Sequence, residues 1–186
     1  IVTHAGGPAV MLTDALSNGG MEIPHLEGPK AEALLSQLFN GSSVGNPIDF
    51  LATGTAEQLG VILDACNRDF DNIDGIASRL FDTASQIYDV YKVLGEKIAT
   101  SKKPIYPIFP SSMVVKDEID EFVRNGGVYF PYEVNFGNAL CKVFKTPAPQ
   151  PAQPELPEVD EARIRAVVDK AENGYLAPEQ IHELLD

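Results

Sequence analysis

Tryptophan is absent from this chain, and only two cysteines and three histidines occur among its 186 residues. Cys66 and Cys141 stand in helix-like segments with neither C-x-x-C nor Cys/His spacing. They read as buried free thiols of a protein kept in a reducing, cytoplasmic compartment, not as a disulfide or a zinc site. Basic residues are also scarce, 14 Lys and Arg against 27 Asp and Glu, for a formal net charge of −13. A phosphate-tracking surface needs clustered Lys and Arg, so no nucleic-acid partner is expected, and the acidity reads as a device for solubility. No run approaches the roughly 18–20 apolar residues that span a bilayer, and no basic-plus-apolar stretch resembling a leader is present. No membrane partner is expected.

What is there is globular in character. Hydrophobic residues make up 44% and charged residues 22%, which argues against disorder throughout. The length suits one well-buried domain with something left over. Ile1 already lies in a strand-like stretch and Asp186 in a helix-like one, so the chain is expected to be a piece of a longer protein.

Short apolar segments alternate with longer amphipathic ones, as in a parallel sheet wrapped by helices. The pattern predicts strands at Ile1–Ala5, Met21–His25, Ile73–Phe81, Pro104–Phe109 and Val128–Tyr132. Helices are predicted at Ala9–Ser17, Pro29–Phe39, Ala56–Arg68, Ala84–Thr100, Met113–Arg124 and Glu133–Lys145. Asn18-Gly19-Gly20 and Asn125-Gly126-Gly127 are helix stops, and Pro29 suits a first helical turn. Ile87, Val90, Tyr91, Leu94 and Ile98 recur at three-four spacing and give one buried stripe. Five strands with right-handed crossovers fit an α/β, flavodoxin-like, three-layer fold with strand order 2-1-3-4-5. From Thr146 the composition changes: Pro147, Pro149, Pro151, Pro154 and Pro157 predict an extended linker over 146–157. Helical signals resume over 158–186, too short a stretch to bury a core of its own.

In open α/β sheets ligands sit at the carboxyl ends of the strands. The first such loop, Thr3-His4-Ala5-Gly6-Gly7-Pro8-Ala9-Val10, runs straight into a helix. Paired glycines let a ligand approach the backbone, and free N–H groups at a helix start attract anions. The stretch is neither G-x-G-x-x-G nor a P-loop, and a tight βα turn without a ligand accounts for it equally well. The loop Ser42-Ser43-Val44-Gly45-Asn46-Pro47-Ile48-Asp49-Phe50 is either a site loop or an Asx- and Pro-stabilised connection. His4 is either a reactive imidazole or a hydrogen-bonded structural one; His25 ends the second predicted strand without acidic or cysteine neighbours, and His182 faces out of a terminal helix. Arg79, near the end of the third strand, either meets an anion or pairs with a carboxylate such as Asp82. No Ser-His-Asp set, carboxylate pair or metal cluster stands out, so no catalytic residue is assigned.

Val2-Thr3-His4-Ala5-Gly6-Gly7-Pro8-Ala9-Val10 with Thr13-Asp14-Ala15 resembles the "V-T-N-A-G-G-P-G-V-x-x-T-D-A" opening of the second flavodoxin-like ligase domain of the ADP-forming (NDP-forming) acyl-CoA synthetases, relatives of succinyl-CoA synthetase. Ser43-Val44-Gly45-Asn46-Pro47-Ile48-Asp49 resembles their "A-S-x-x-N-P-V-D" loop, and Val128-Tyr129-Phe130-Pro131 their "G-I-P-x-F-P" strand. Val159–Asp186 resembles the helical entry to an ATP-grasp domain. The resemblance implies a ligase that interconverts acyl-CoA, ADP and phosphate with a free acid, ATP and CoA, with Mg²⁺ at the ATP-grasp site. It implies a phosphohistidine carried by a preceding domain, which also follows a CoA-binding domain. This chain would hold no cofactor itself; Gly6, Gly7, Ala9 and Val10 would place a helix N-terminus against the phosphohistidine, with His4, Asn46, Asp49 and Arg79 as site-loop candidates. His4 stands where the family has Asn, Ala9 where it has Gly, and Ser111-Ser112 where it often has a glycine pair. The competing readings are a receiver- or flavodoxin-type binding module and a non-catalytic scaffold.

Overall fold

The computed structural model describes residues 1–80, 87–109, 115–149 and 158–185. Its elements in chain order are β1 (Val2–Thr3), α1 (Gly6–Asn18), α2 (Pro29–Leu35), β2 (Ile48–Asp49), α3 (Ala56–Arg68), β3 (Ile76–Arg79) and α4 (Ile87–Thr100). They continue with β4 (Ile105–Ile108), α5 (Lys116–Arg124), α6 (Glu133–Phe144), α7 (Glu161–Lys170) and α8 (Pro178–Leu185). The chain divides into two compact units, Ile1–Thr146 and Pro147–Asp186.

Local signals explain most of these boundaries. Thr55 opens α3 with a capping box: its hydroxyl accepts the Gln58 N–H, and the Gln58 amide oxygen accepts the Thr55 N–H, both at 3.2 Å. Leu59, Ile62, Leu63 and Cys66 form the buried stripe of that helix. Gly20 at φ 90° follows α1 and Gly126 at φ 87° follows α5, the left-handed positions where glycine stops a helix. The predicted helix starts at Ala84 and Met113, and the Ser111-Ser112 pair, fall outside the described residues.

The sheet of the first unit is wholly parallel, in the order β2-β1-β3-β4. Two predicted strands need correction. Met21–His25 forms no strand; the second strand is Ile48–Asp49, inside the turn-rich loop. Pro24 has no N–H to give a ladder, and the segment is held instead by Asn46 Nδ2 donating to the Pro24 carbonyl (2.9 Å) and Leu26 N–H to Gly45 (3.1 Å). Val128–Tyr132 contributes a single parallel bridge, Phe130 to Ile108, rather than a fifth strand. Phe130 exchanges backbone bonds with Pro107 and Phe109, but Tyr132, the next residue whose N–H would face β4, is already the N-cap of α6.

Side chains alternate across this sheet and define two cores. One face packs Ile76, Leu80 and Ile105 against α2, α3, α4 and α5; the other packs Ala77 and Ile108 against α1 and α6. Leu12, Leu16, Phe136 and Cys141 fill the second core, each large side chain contributing about 1.5–3 kcal/mol on full burial. The α1–α6 approach depends on small residues. A Cβ at Gly19 would lie 2.0 Å from Cys141 Sγ, and one at Gly137 2.8 Å from the Ala15 methyl.

In the second unit, Asp160 caps α7 by accepting the Arg163 N–H at 2.9 Å, and Arg163 Nη2 donates to the Glu183 carbonyl of α8 at 2.5 Å. Pro151, Pro154 and Pro157 of the predicted linker lie outside the described residues.

Gly19→Ala should therefore lower unfolding free energy by about 1–3 kcal/mol, since the added methyl overpacks a closed contact. Gly7, where a Cβ meets nothing within 4 Å, is the control: Gly7→Ala should not destabilise the fold. Urea denaturation of the two variants measures the contrast.

Candidate functional site

The parallel register sets three residues in one row at the carboxyl edge of the sheet. Thr3 stands opposite Asp49 on one side and Arg79 on the other. This row projects to the face covered by α1 and α6, because Ala77, two residues before Arg79, packs there. The Thr3 hydroxyl accepts the Ala5 N–H and donates to the Ala5 carbonyl, both at 2.9 Å, and so clamps the turn that leads into α1.

That turn gives α1 an open start. Ala5 is its N-cap in extended geometry and supplies no side-chain cap. Gly6 and Gly7, the first two helical residues, are exposed, and Pro8 has no N–H to present. Ala9 is buried, its N–H bonded to the Ala5 carbonyl at 3.3 Å, while Val10 is exposed. Of the four residues singled out from sequence, Gly6 and Gly7 are thus the two at the open end.

The charges around this helix start are arranged unevenly. An Asp49 carboxylate oxygen lies 3.7 Å from where a Gly6 Cβ would be, and the other carboxylate oxygen accepts the Leu51 N–H at 3.0 Å. Arg79 is buried and its Nε donates to Glu133 Oε1 at 2.6 Å, with the two side chains 5% and 10% exposed. Arg79 pairs with a carboxylate, Glu133 in the first turn of α6, and Asp82 lies outside the described residues. His4 points to the opposite face and packs on Phe50, ring centroids 4.1 Å apart. Burial pushes the His4 imidazole down to about 4; the Asp49 carboxylate opposes that drop and the Arg79 guanidinium adds to it.

Asn46 is not part of this group. It lies at the amino end of β2, where its amide binds the Pro24 carbonyl and its oxygen accepts from the backbone nitrogen of Ile1 at 2.8 Å. Sequence reading missed Thr3 and Glu133 as parts of the site. A Thr ending a strand two residues before a helix, and a Glu in the first turn of the last helix, are the signals that point to them. Burial raises the Cys66 thiol to about 11, so it is a poor nucleophile. Among the described residues no group of three or more His, Cys, Asp or Glu is placed to hold a metal ion, and no helix is long and apolar enough to cross a membrane.

A parallel α/β sheet with an open helix start at its carboxyl edge is the class of domain that this geometry defines, and solved structures share the fold. A Pyrococcus horikoshii protein superposes with a TM-score of 0.67 over 75% of this chain and 33% of that one, at 22% identity. The dinucleotide-forming acetyl-coenzyme A synthetase 1 of Candidatus Korarchaeum cryptofilum, in complex with phosphate and ADP, does so with 0.66 over 77% of this chain and 31% of that one, at 17% identity. In sequence, 58 residues are 37% identical to the ADP-forming acetate–CoA ligase II subunit alpha of Pyrococcus furiosus, covering 31% of this chain and 13% of the relative. No protein-family model matches the chain. The chain thus resembles the ADP-forming acyl-CoA synthetases in sequence as well as in fold, and spans about a third of the solved relatives.

Two outcomes follow for the site. Glu133→Gln, which takes the Glu133 charge away from the buried Arg79 guanidinium, should cost about 3–5 kcal/mol, and Arg79→Met combined with Glu133→Leu should recover much of that loss. A double-mutant cycle in urea measures it. His4, lowered in the folded chain, gives stability that is fully present above about 6.5 and is lost as pH falls toward about 4. The stability of the wild type relative to His4→Gln should therefore decline across that window, and a pH-independent difference would contradict the assignment.

Proposed function

We propose that this chain is a piece of an acid–CoA ligase (ADP-forming), in which acyl-CoA, ADP and phosphate interconvert with acid, ATP and CoA. Residues 1–145 are its second flavodoxin-like ligase domain, 146–157 a linker, and 158–186 the first helices of an ATP-grasp domain. Nucleotide, CoA and Mg²⁺ belong to other domains of that enzyme, as does the histidine that carries the phosphoryl group. The role of this domain is to present the start of α1 to that phosphohistidine.

One observation carries the reading: Gly6 and Gly7 leave an uncapped, exposed helix start at the carboxyl edge, with no internal packing reason for a bare Gly7. A helix N-terminus holds about half a positive charge and open N–H donors, worth about 0.3–2 kcal/mol toward an anion. Such donors are strongest where a docked partner domain excludes water. Thr3 fixes the turn, Asp49 and Arg79 flank it, and His4 stays neutral beneath it. The reading as a flavodoxin- or receiver-type module lacks comparable support: the first strand ends in Thr3-His4, with neither the acidic pair of a receiver nor a Ser/Thr-rich flavin-phosphate loop.

The test uses the full-length enzyme. Gly7→Val should slow phosphoryl transfer at least tenfold and leave nucleotide affinity largely unchanged, because the branched side chain shields the N–H groups from a position where its Cβ meets no protein atom within 4 Å. Asp49→Asn keeps the acceptor for Leu51 but removes a charge beside Gly6, and should act in the opposite direction. The 186-residue chain alone should make no ATP. Normal turnover by folded Gly7→Val removes the phosphoryl role and leaves a scaffold.

A further inference from the structure

A second feature lies away from the carboxyl edge. Between α4 and α5, with the Asn125–Gly127 turn that follows α5, is a cleft of about 400 Å³. Its floor is apolar, built on Tyr91, Ile98 and Phe122. The Tyr91 and Phe122 rings meet as a corner, centroids 6.4 Å apart and planes at 59°. Phe109 backs both rings, at 4.7 Å from Tyr91 and 5.7 Å from Phe122, so the corner is fixed from behind. The rim carries Glu96, Glu118 and Glu121 against one lysine, Lys92. The negative end of the α5 dipole opens on the same side, at Asn125 to Gly127.

Gly95 is a separate pointer to an occupant. It sits in the interior of the 14-residue α4, where glycine costs about 1 kcal/mol relative to alanine. A Cβ there would meet nothing within 4 Å, so packing within the protein does not require the bare backbone, yet Gly95 lines the cleft. Gly127, in the same lining, is different: its Cβ would strike the Phe122 ring at 2.3 Å.

We propose that the α4–α5 cleft binds a small organic cation with an apolar body, an aromatic or alkyl ammonium, whose body rests on Tyr91, Gly95 and Phe122 and whose charge lies among Glu96, Glu118 and Glu121. An aromatic face attracts a cation within about 6 Å of its centroid. Three carboxylates and a helix C-terminus add to that attraction and repel an anion. A neutral apolar molecule uses the floor but not the rim.

The probe is phenethylammonium, titrated into the 186-residue chain and followed by backbone amide NMR shifts. Its neutral and anionic isosteres, 2-phenylethanol and phenylacetate, are run in parallel. Saturable shifts at Gly95, Phe122 and Gly127 are expected with the ammonium at millimolar concentration, several-fold weaker binding with the alcohol, and none with the carboxylate. Glu118→Gln with Glu121→Gln should raise the ammonium Kd about five- to tenfold, and Gly95→Val should abolish binding. Absence of saturable shifts in the cleft overturns the proposal, and so does phenylacetate binding as well as the ammonium. Unchanged affinity in the double glutamine variant overturns it too, whether or not Gly95→Val folds. None of these residues lies at the carboxyl edge, so the result is independent of the ligase reading.

Discussion

The buried Arg79–Glu133 pair is the constraint on which the arrangement of the carboxyl edge depends. Removing both charges from water costs several kcal/mol per ion, so the pair holds only while its 2.6 Å contact is kept. That contact joins the last residue of β3 to the first residue of α6. Fixing the start of α6 fixes its seat on α1, because Gly137 against Ala15 and Gly19 against Cys141 allow one close approach and little sliding. The direction of α1, and with it the position of the Gly6-Gly7 start, follows from a charge pair on a neighbouring strand. The same geometry sets the row Asp49, Thr3, Arg79, since parallel register leaves each residue one partner on either side.

Within the first unit, glycines serve three different physical ends. Gly19, Gly127 and Gly137 are places where another side chain occupies the space of a Cβ. Gly20 and Gly126 supply the positive φ that ends a helix. Gly7 and Gly95 do neither: a Cβ at either would meet nothing within 4 Å. Glycine in a helix without a packing or conformational reason costs stability, which makes these two the informative ones.

Much of this was legible in the sequence, and the misses have physical causes. The bounds of α3 could be read to the residue because Thr55 and Gln58 form a capping box whose donors and acceptors are all local. The stops after α1 and α5 were legible for the same reason: Asn-Gly-Gly acts on its own backbone. Met21–His25 was misread because its apolar pattern imitates a strand, while Pro24 and the distant Asn46 amide decide otherwise. β2 was hidden in a loop because two residues are too few for periodicity to register. At the site, Thr3, Asp49 and Arg79 fall in one row because each ends a parallel strand; Arg79 was legible as a strand end, whereas the strand ending at Asp49 was not expected. Glu133 was out of reach, 54 residues from Arg79 in sequence, because a buried pair between distant elements leaves no local pattern.

Under the proposed function, the electrostatics of the α1 start favour a phosphoryl group that arrives attached over one that arrives free. The helix offers about half a positive charge and two open N–H groups. Beside Gly6 sits a full negative charge on Asp49, and the nearest buried cation, Arg79, is engaged with Glu133. In open water these opposing terms nearly cancel, because solvent screens the backbone donors while a free dianion gives up its own hydration to reach them. A phosphoryl group carried by a docking domain changes both quantities. Its translational freedom is already lost to the larger contact, and the contact removes the water that weakens the N–H donors. On the proposed function, the resident carboxylate acts as a filter, holding off diffusible anions and leaving the helix start to a charge that a partner surface brings in at a fixed angle.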